Sequence, residues 1–123
     1  MRKTSSTNAL NEKELKEYCG MTYTFSVLGG RWKANIIYKL FNGKMRYSEL
    51  KRSIPNVSER ILVAQLREME KDQLVKRIVY AEVPPRVEYE LTALGLSLKP
   101  MMKVISDWGN MHKGKMAGRT AVQ

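Results

Sequence analysis

The stretch YAEVPPRVEYEL, residues 80–91, limits the fold of this chain more than any other. Val87, Tyr89 and Leu91 alternate with Arg86, Glu88 and Glu90, the period-two pattern of a half-buried strand. In the run before it, Ile78 and Tyr80 share one face, while Arg77, Val79 and Ala81 share the other. Pro84 and Pro85 stand between the runs. Proline fits poorly at the second central position of a type I turn, so a wider tip or a cis bond is expected. Two prolines also keep the tip from pairing with another chain. The reading is a stiff β-hairpin over 75–91 with Arg86 at its tip.

Helices lead up to that hairpin. Asn11 caps a short helix over 11–18, with Leu15 and Tyr18 on one side. A second short helix, 23–28, ends at Gly29-Gly30. A stronger one spans 31–41, with Trp32, Ile36, Ile37, Leu40 and Phe41 at helical spacing, and Asn42-Gly43 stops it. Residues 45–47 read as extended. Ser48 is the expected N-cap of a brief helix over 49–53, ended by Ile54-Pro55. Ser58 caps the next, 59–72. Two short helices joined by a tight turn make a helix-turn-helix, although an ordinary αα-hairpin fits the same pattern.

The second helix of that unit has two distinct sides. Leu62, Leu66 and Met69 form a narrow buried stripe. Steps of ~100° per residue put Arg60, Ala64, Arg67 and Lys71 on the opposite side. That face is basic and has no bulky apolar residue, as a helix entering a DNA major groove requires. A solvated charged face explains the same residues. The hairpin that follows shifts the balance, because a helix-turn-helix followed by a hairpin is a winged helix. A wing lies along the DNA backbone or reaches into the minor groove, where narrow A·T-rich tracts attract arginine. The candidate DNA contacts on this helix and hairpin are Ser58, Arg60, Val63, Ala64, Arg67, Lys71, Arg77 and Arg86.

Charge agrees with this. The 22 Lys and Arg against 12 Asp and Glu give a formal charge of +10, spread along the whole chain. Such a surplus points to a polyanionic partner, whether DNA, RNA or an anionic membrane face. Catalytic constellations are scarce. His112 is the only histidine and Cys19 the only cysteine. No Asp/Glu cluster has metal-ligand spacing, and Gly29-Gly30 lacks the spacing of a phosphate loop. No enzyme activity, metal or cofactor is expected. No apolar run approaches the ~20 residues of a membrane span. The basic first residues lack an apolar region, so no secretory signal is expected. A lone cysteine fits a reducing cytoplasm.

The C-terminal segment reads as a pairing surface. Leu94, Leu98, Met101, Ile105 and Trp108 repeat at 4-3-4-3 spacing, with Met102, Val104 and Met111 adding apolar surface away from that stripe. A helix apolar on more than one face in a small protein is usually buried twice, on its own domain and on a partner. A single thick core face is the alternative. Pro100 either kinks this helix or begins a second one. With Leu15 and Tyr18, the residues Met101, Met102, Ile105 and Trp108 form the candidate dimer interface. Two-fold pairing would set two recognition helices about 34–36 Å apart, facing successive major grooves.

Three segments, LGGRWKANIIYKLFNGKMRYSEL, IPNVSERILVAQLREMEKDQLVKR and YAEVPPRVEYELTALGLSLKPMMKVISDWG, together resemble the HxlR-type branch of the MarR-related winged helix-turn-helix regulators. The resemblance covers roughly residues 19–109. It implies an α+β, mainly α fold, with a β-hairpin wing and added terminal dimerisation helices. It also implies a homodimeric bacterial or archaeal transcription regulator, repressor or activator, on a palindromic operator of double-stranded DNA. By this likeness, 58–71 is the recognition helix and 75–91 the wing, while Arg46 and Ser48 open the helix-turn-helix and are candidate DNA contacts through phosphate. A winged helix serving RNA or protein without operator specificity is the alternative. The family usually has Cys-Pro where this chain has Cys19-Gly20. Some members sense oxidants through a cysteine in this region, so Cys19 is a candidate redox sensor; a packing cysteine is the alternative. Any small-molecule effector is unknown. The expected layout is a disordered start over 1–10, one domain over 11–113 and a flexible basic tail over 114–123.

Overall fold

The computed structural model describes residues 19–122. The chain builds α1 (Gly20–Leu28), α2 (Lys33–Leu40), β1 (Met45–Arg46), α3 (Tyr47–Ser53), α4 (Glu59–Lys71), β2 (Val75–Tyr80), β3 (Arg86–Leu91), α5 (Ala93–Leu96) and α6 (Lys99–Val122). The expected disordered start and the helix carrying Leu15 and Tyr18 lie outside the described residues.

Helical spacing puts Ile36, Ile37 and Leu40 of α2 in the core, against Leu50 of α3 and Leu62, Leu66 and Met69 of α4. Each such side chain contributes roughly 1.5–3 kcal/mol by leaving water. Lys33 shares the buried face of α2 and is itself fully buried. Its Nζ lies 3.1 Å from Glu68 Oε1 on α4 and donates to the Val27 carbonyl at 3.4 Å.

The caps fix the helix-turn-helix. Ser58 caps α4, its Oγ accepting from the Ile61 N–H at 3.1 Å. Asn56 takes φ 71° in the turn, where Asn is among the few non-glycine residues that adopt the left-handed region readily. Ser48, in contrast, is not a cap. Helix α3 begins one residue before it, and Arg46 is the capping residue. The Arg46 N–H donates to Glu49 Oε1 at 2.9 Å, so the carboxylate three residues on closes the helix end and leaves Ser48 exposed in the first turn.

The sheet is antiparallel, in the order β1-β3-β2. Val75 pairs with Leu91, Arg77 with Tyr89, and Val79 with Val87, which places these six on one face. Ile78 and Tyr80 lie on the other face, with Glu88 and Arg86. Residues 81–85 form the wide tip, and the Val83–Pro84 bond is cis.

After β3, Thr92 caps α5, its Oγ1 accepting from the Gly95 N–H at 3.0 Å. Pro100 stands in the first turn of α6, so it begins a new helix rather than kinking an old one. The C-terminal stripe does not form one core face: Leu98 and Met102 pack on the core, while Leu94, Ile105 and Trp108 are exposed. Past Met102 the change falls within α6 itself, where Ile105 and Trp108 lie outside the core. Helix α6 continues to Val122, through the segment read from sequence as a flexible tail.

Candidate nucleic-acid interface

Along α4, Glu59, Val63, Arg67 and Glu70 recur at 4-4-3 spacing on the side next to the buried stripe. This row faces the hairpin across a cleft of about 750 Å³. Arg46, Tyr47 and Ser48 close one end, and the opposite wall is Arg77, Val87, Tyr89 and the tip residues 82–86. Tyr89 is buried there. Burial pushes its phenol above the ordinary value, while the Arg77 and Arg67 guanidiniums pull it back. Burial likewise raises the Tyr47 phenol, and the Glu59 carboxylate adds to the effect. The Tyr47 hydroxyl is buried without a hydrogen-bond partner among the described residues.

Arg86 does not stand free at the wing tip. It opens β3 opposite Tyr80, and its guanidinium carbon lies 3.9 Å from the Tyr80 ring centroid. Its Nη2 is 3.5 Å from Glu82 Oε2, and its Nε is 3.9 Å from Glu88 Oε2. Tyr80 Oη donates to Glu88 Oε1 at 2.8 Å and accepts from Lys44 Nζ at 3.3 Å. The arginine is therefore held on one face of the wing by an aromatic ring and two carboxylates, with about a quarter of its side chain (28%) exposed. The fully exposed tip residue is Val83.

Of the residues read from sequence, the cleft brings together Arg46, Ser48, Val63, Arg67, Arg77 and Arg86. Ser58, Arg60, Ala64 and Lys71 are exposed along α4 but do not line the cleft. Sequence reasoning missed Tyr47, Glu59 and Glu70 in the cleft, and the buried Lys33 paired with Glu68 on α4. The signal for Glu59 and Glu70 was their helical spacing from Val63 and Arg67. That for Lys33 was its place three and four residues before Ile36 and Ile37.

Two further surfaces matter. Cys19 is exposed at the N-cap of α1, with its Sγ 3.4 Å from Thr22 Oγ1, and that hydroxyl holds the thiol below its ordinary pKa. Met21 and Phe25 of α1 are exposed, as are Val104, Ile105, Trp108 and Met111 of α6. Met101 is half-buried. Among the described residues no group of His, Cys, Asp and Glu can hold a metal ion, and no helix is long and apolar enough to cross a membrane.

Known proteins share this arrangement. Residues 27–117 match the family model described as HxlR-like helix-turn-helix. The chain is 48% identical over 94 residues to the uncharacterized HTH-type transcriptional regulator YkvN of Bacillus subtilis (strain 168), covering 76% of this chain and 80% of that one. It superposes on the redox regulator HypR in its reduced form with a TM-score of 0.76 and 38% identity, covering 81% of this chain and 99% of the other. The reduced form of the transcriptional regulator YodB from B. subtilis gives a TM-score of 0.67 at 34% identity, covering 76% and 92%. A helix-turn-helix followed by a β-hairpin wing, matched over most of the chain by the family model and by these relatives, means that the chain belongs to the HxlR-like helix-turn-helix family of DNA-binding transcription regulators.

Proposed function

We propose that the protein is a cytoplasmic homodimeric regulator that binds a palindromic operator in double-stranded DNA and carries out no catalytic step. One observation carries the reading: three arginines, Arg46, Arg67 and Arg77, meet Ser48 in a single cleft between α4 and the wing, and Arg86 borders it from the wing tip with its guanidinium held on Tyr80. Guanidiniums there serve phosphates and base edges, because their planar forks match both. Arg60, Ala64 and Lys71 continue the contact along the outer side of α4, and Ser58 sets where that helix begins. The apolar residues left exposed on α1 and α6 support pairing through these helices, with Ile105 and Trp108 in the interface and Met101 and Met102 beneath it. The lowered pKa and exposure of Cys19 support a redox response, since the thiolate is the species that oxidants attack.

The test is binding to DNA from upstream of the protein's own gene, measured by gel shift and anisotropy. Arg67→Ala and Arg77→Ala should each weaken binding by ~1–3 kcal/mol and lower the salt slope by about one. Equal affinity of the wild type for this DNA and for random duplex would overturn operator recognition. Sedimentation at micromolar concentration checks the dimer, and a monomer there refutes it.

A further inference from the structure

The cleft holds a residue that a merely electrostatic DNA clamp would not keep. Glu59 opens the recognition helix α4, is exposed, and lines the cleft together with Arg46, Arg67, Arg77 and Arg86. None of these arginines pairs with it. The ion pairs of the described residues join Lys33 to Glu68, Lys44 to Glu88, Lys76 to Glu90, Arg86 to Glu82 and Glu88, and Lys103 to Asp107. The other acids of the cleft are placed differently. Glu82 is tied to Arg86 at the wing tip, and Glu70 is half-buried near the far end of α4. Glu59 alone among them stands in the first turn, the part of a recognition helix that meets base edges.

An unpaired carboxylate facing DNA repels phosphates and weakens binding to every sequence. It gains a use in binding if it accepts a hydrogen bond that DNA offers at one base. In the major groove the donors are the amino groups of cytosine and adenine, and the amino group that Glu and Asp read is N4 of cytosine.

Resting on the regulator reading above, we propose that Glu59 is a specificity-determining residue, whose carboxylate accepts from the N4 amino group of one cytosine in each half-site. Its carboxylate gives up phosphate affinity everywhere and gains discrimination at one base pair. A second role is available to the same charge, because an acid in the first turn favours the partial positive charge of a helix N-terminus. The two roles separate in experiment. Helix-end stabilisation needs the charge and not the reach, whereas base reading needs both.

Selection from a randomised duplex library compares the wild type with Glu59→Gln and Glu59→Asp. The wild type should give a consensus with a cytosine in each half-site. Glu59→Gln should lose that preference by about tenfold or more and turn towards adenine, the base that a glutamine amide pairs with, while other positions keep their preferences. The same variant should bind unrelated duplex more tightly than the wild type does. Glu59→Asp keeps the charge but shortens the reach, so it should lose the cytosine preference with an unchanged melting temperature. If all three proteins select one consensus and their affinities move in parallel, Glu59 is only a helix-end charge and the proposal fails. A changed preference at a position that is not cytosine overturns it as well. A wild type that selects no consensus overturns the regulator reading, and this assignment with it.

Discussion

Lys33 and Glu68 form an ion pair whose two halves differ in burial, and removing either one has a different consequence. The Lys33 side chain is 0% exposed and that of Glu68 is 43% exposed. Glu68→Ala takes a carboxylate away from an ammonium in the core beside Ile36 and Ile37, where the Val27 carbonyl also accepts from it. Breaking a buried pair from one side costs about 3–5 kcal/mol. The half-exposed carboxylate is partly screened by water, so the loss should fall to about 2–3 kcal/mol. At roughly 4 °C per kcal/mol for a domain of this size, the melting temperature should drop by about 10 °C. Lys33→Met removes the buried charge and keeps an apolar stem of similar length, while the Glu68 side chain is already 43% exposed. Its cost should stay within ~1 kcal/mol. The double variant should then be more stable than Glu68→Ala alone. Circular-dichroism melts and urea titrations at one fixed protein concentration measure all three. If Lys33→Met loses as much stability as Glu68→Ala, the asymmetry of burial does not govern this pair.

Three other outcomes follow from the geometry. A Cβ at Gly95 would overlap the Leu74 carbonyl oxygen and lie 3.1 Å from Leu91 Cδ2, so Gly95→Ala should destabilise the fold by ~1–3 kcal/mol in denaturant titration. Arg86→Ala should reduce the salt slope of operator binding by about one; a wild-type slope would mean that Arg86 stays on Glu82, Glu88 and Tyr80 when DNA binds. Because the Thr22 hydroxyl lowers the Cys19 pKa, Thr22→Val should move the midpoint of the pH profile of iodoacetamide alkylation upward, and an unmoved midpoint would assign the lowering to another cause.

The recognition helix was legible in sequence because its information is local. Ser58 caps it, and Leu62, Leu66 and Met69 mark its buried side within one turn or two. The hairpin was legible for the same reason, its alternation and its prolines lying within a dozen residues. What sequence could not supply was pairing across distance. Whether Arg86 points to solvent depends on the register that sets it opposite Tyr80, and on Glu82 and Glu88 being within reach. A lysine reads as a surface residue until a carboxylate 35 positions away arrives beside it, as Glu68 does for Lys33. Ser48 lost its capping role to a competitor, the Glu49 carboxylate, which closes the same helix end from inside it. The terminal stripe was read as one continuous surface, but Leu98, in the break between Leu96 and Lys99, packs on the core, while Leu94 before it and Ile105 and Trp108 after it are exposed.

That break has a mechanical consequence. Helix α6 has 24 residues and is therefore a rod of about 36 Å. It meets the DNA-binding body through a short joint, where the Leu98 N–H donates to Gly95 and the Met102 N–H to Leu98. In a dimer paired along these rods, each body hangs from a lever. A swing of about 10° at the joint moves a point ~20 Å away by about 3.5 Å, close to the ~3.4 Å rise of one base-pair step. The spacing of half-sites that such a protein can read is then set less by any side chain facing DNA than by the stiffness of the two residues between two helices, and a change of about ten degrees there is enough to carry the recognition helices from one register of the operator to the next.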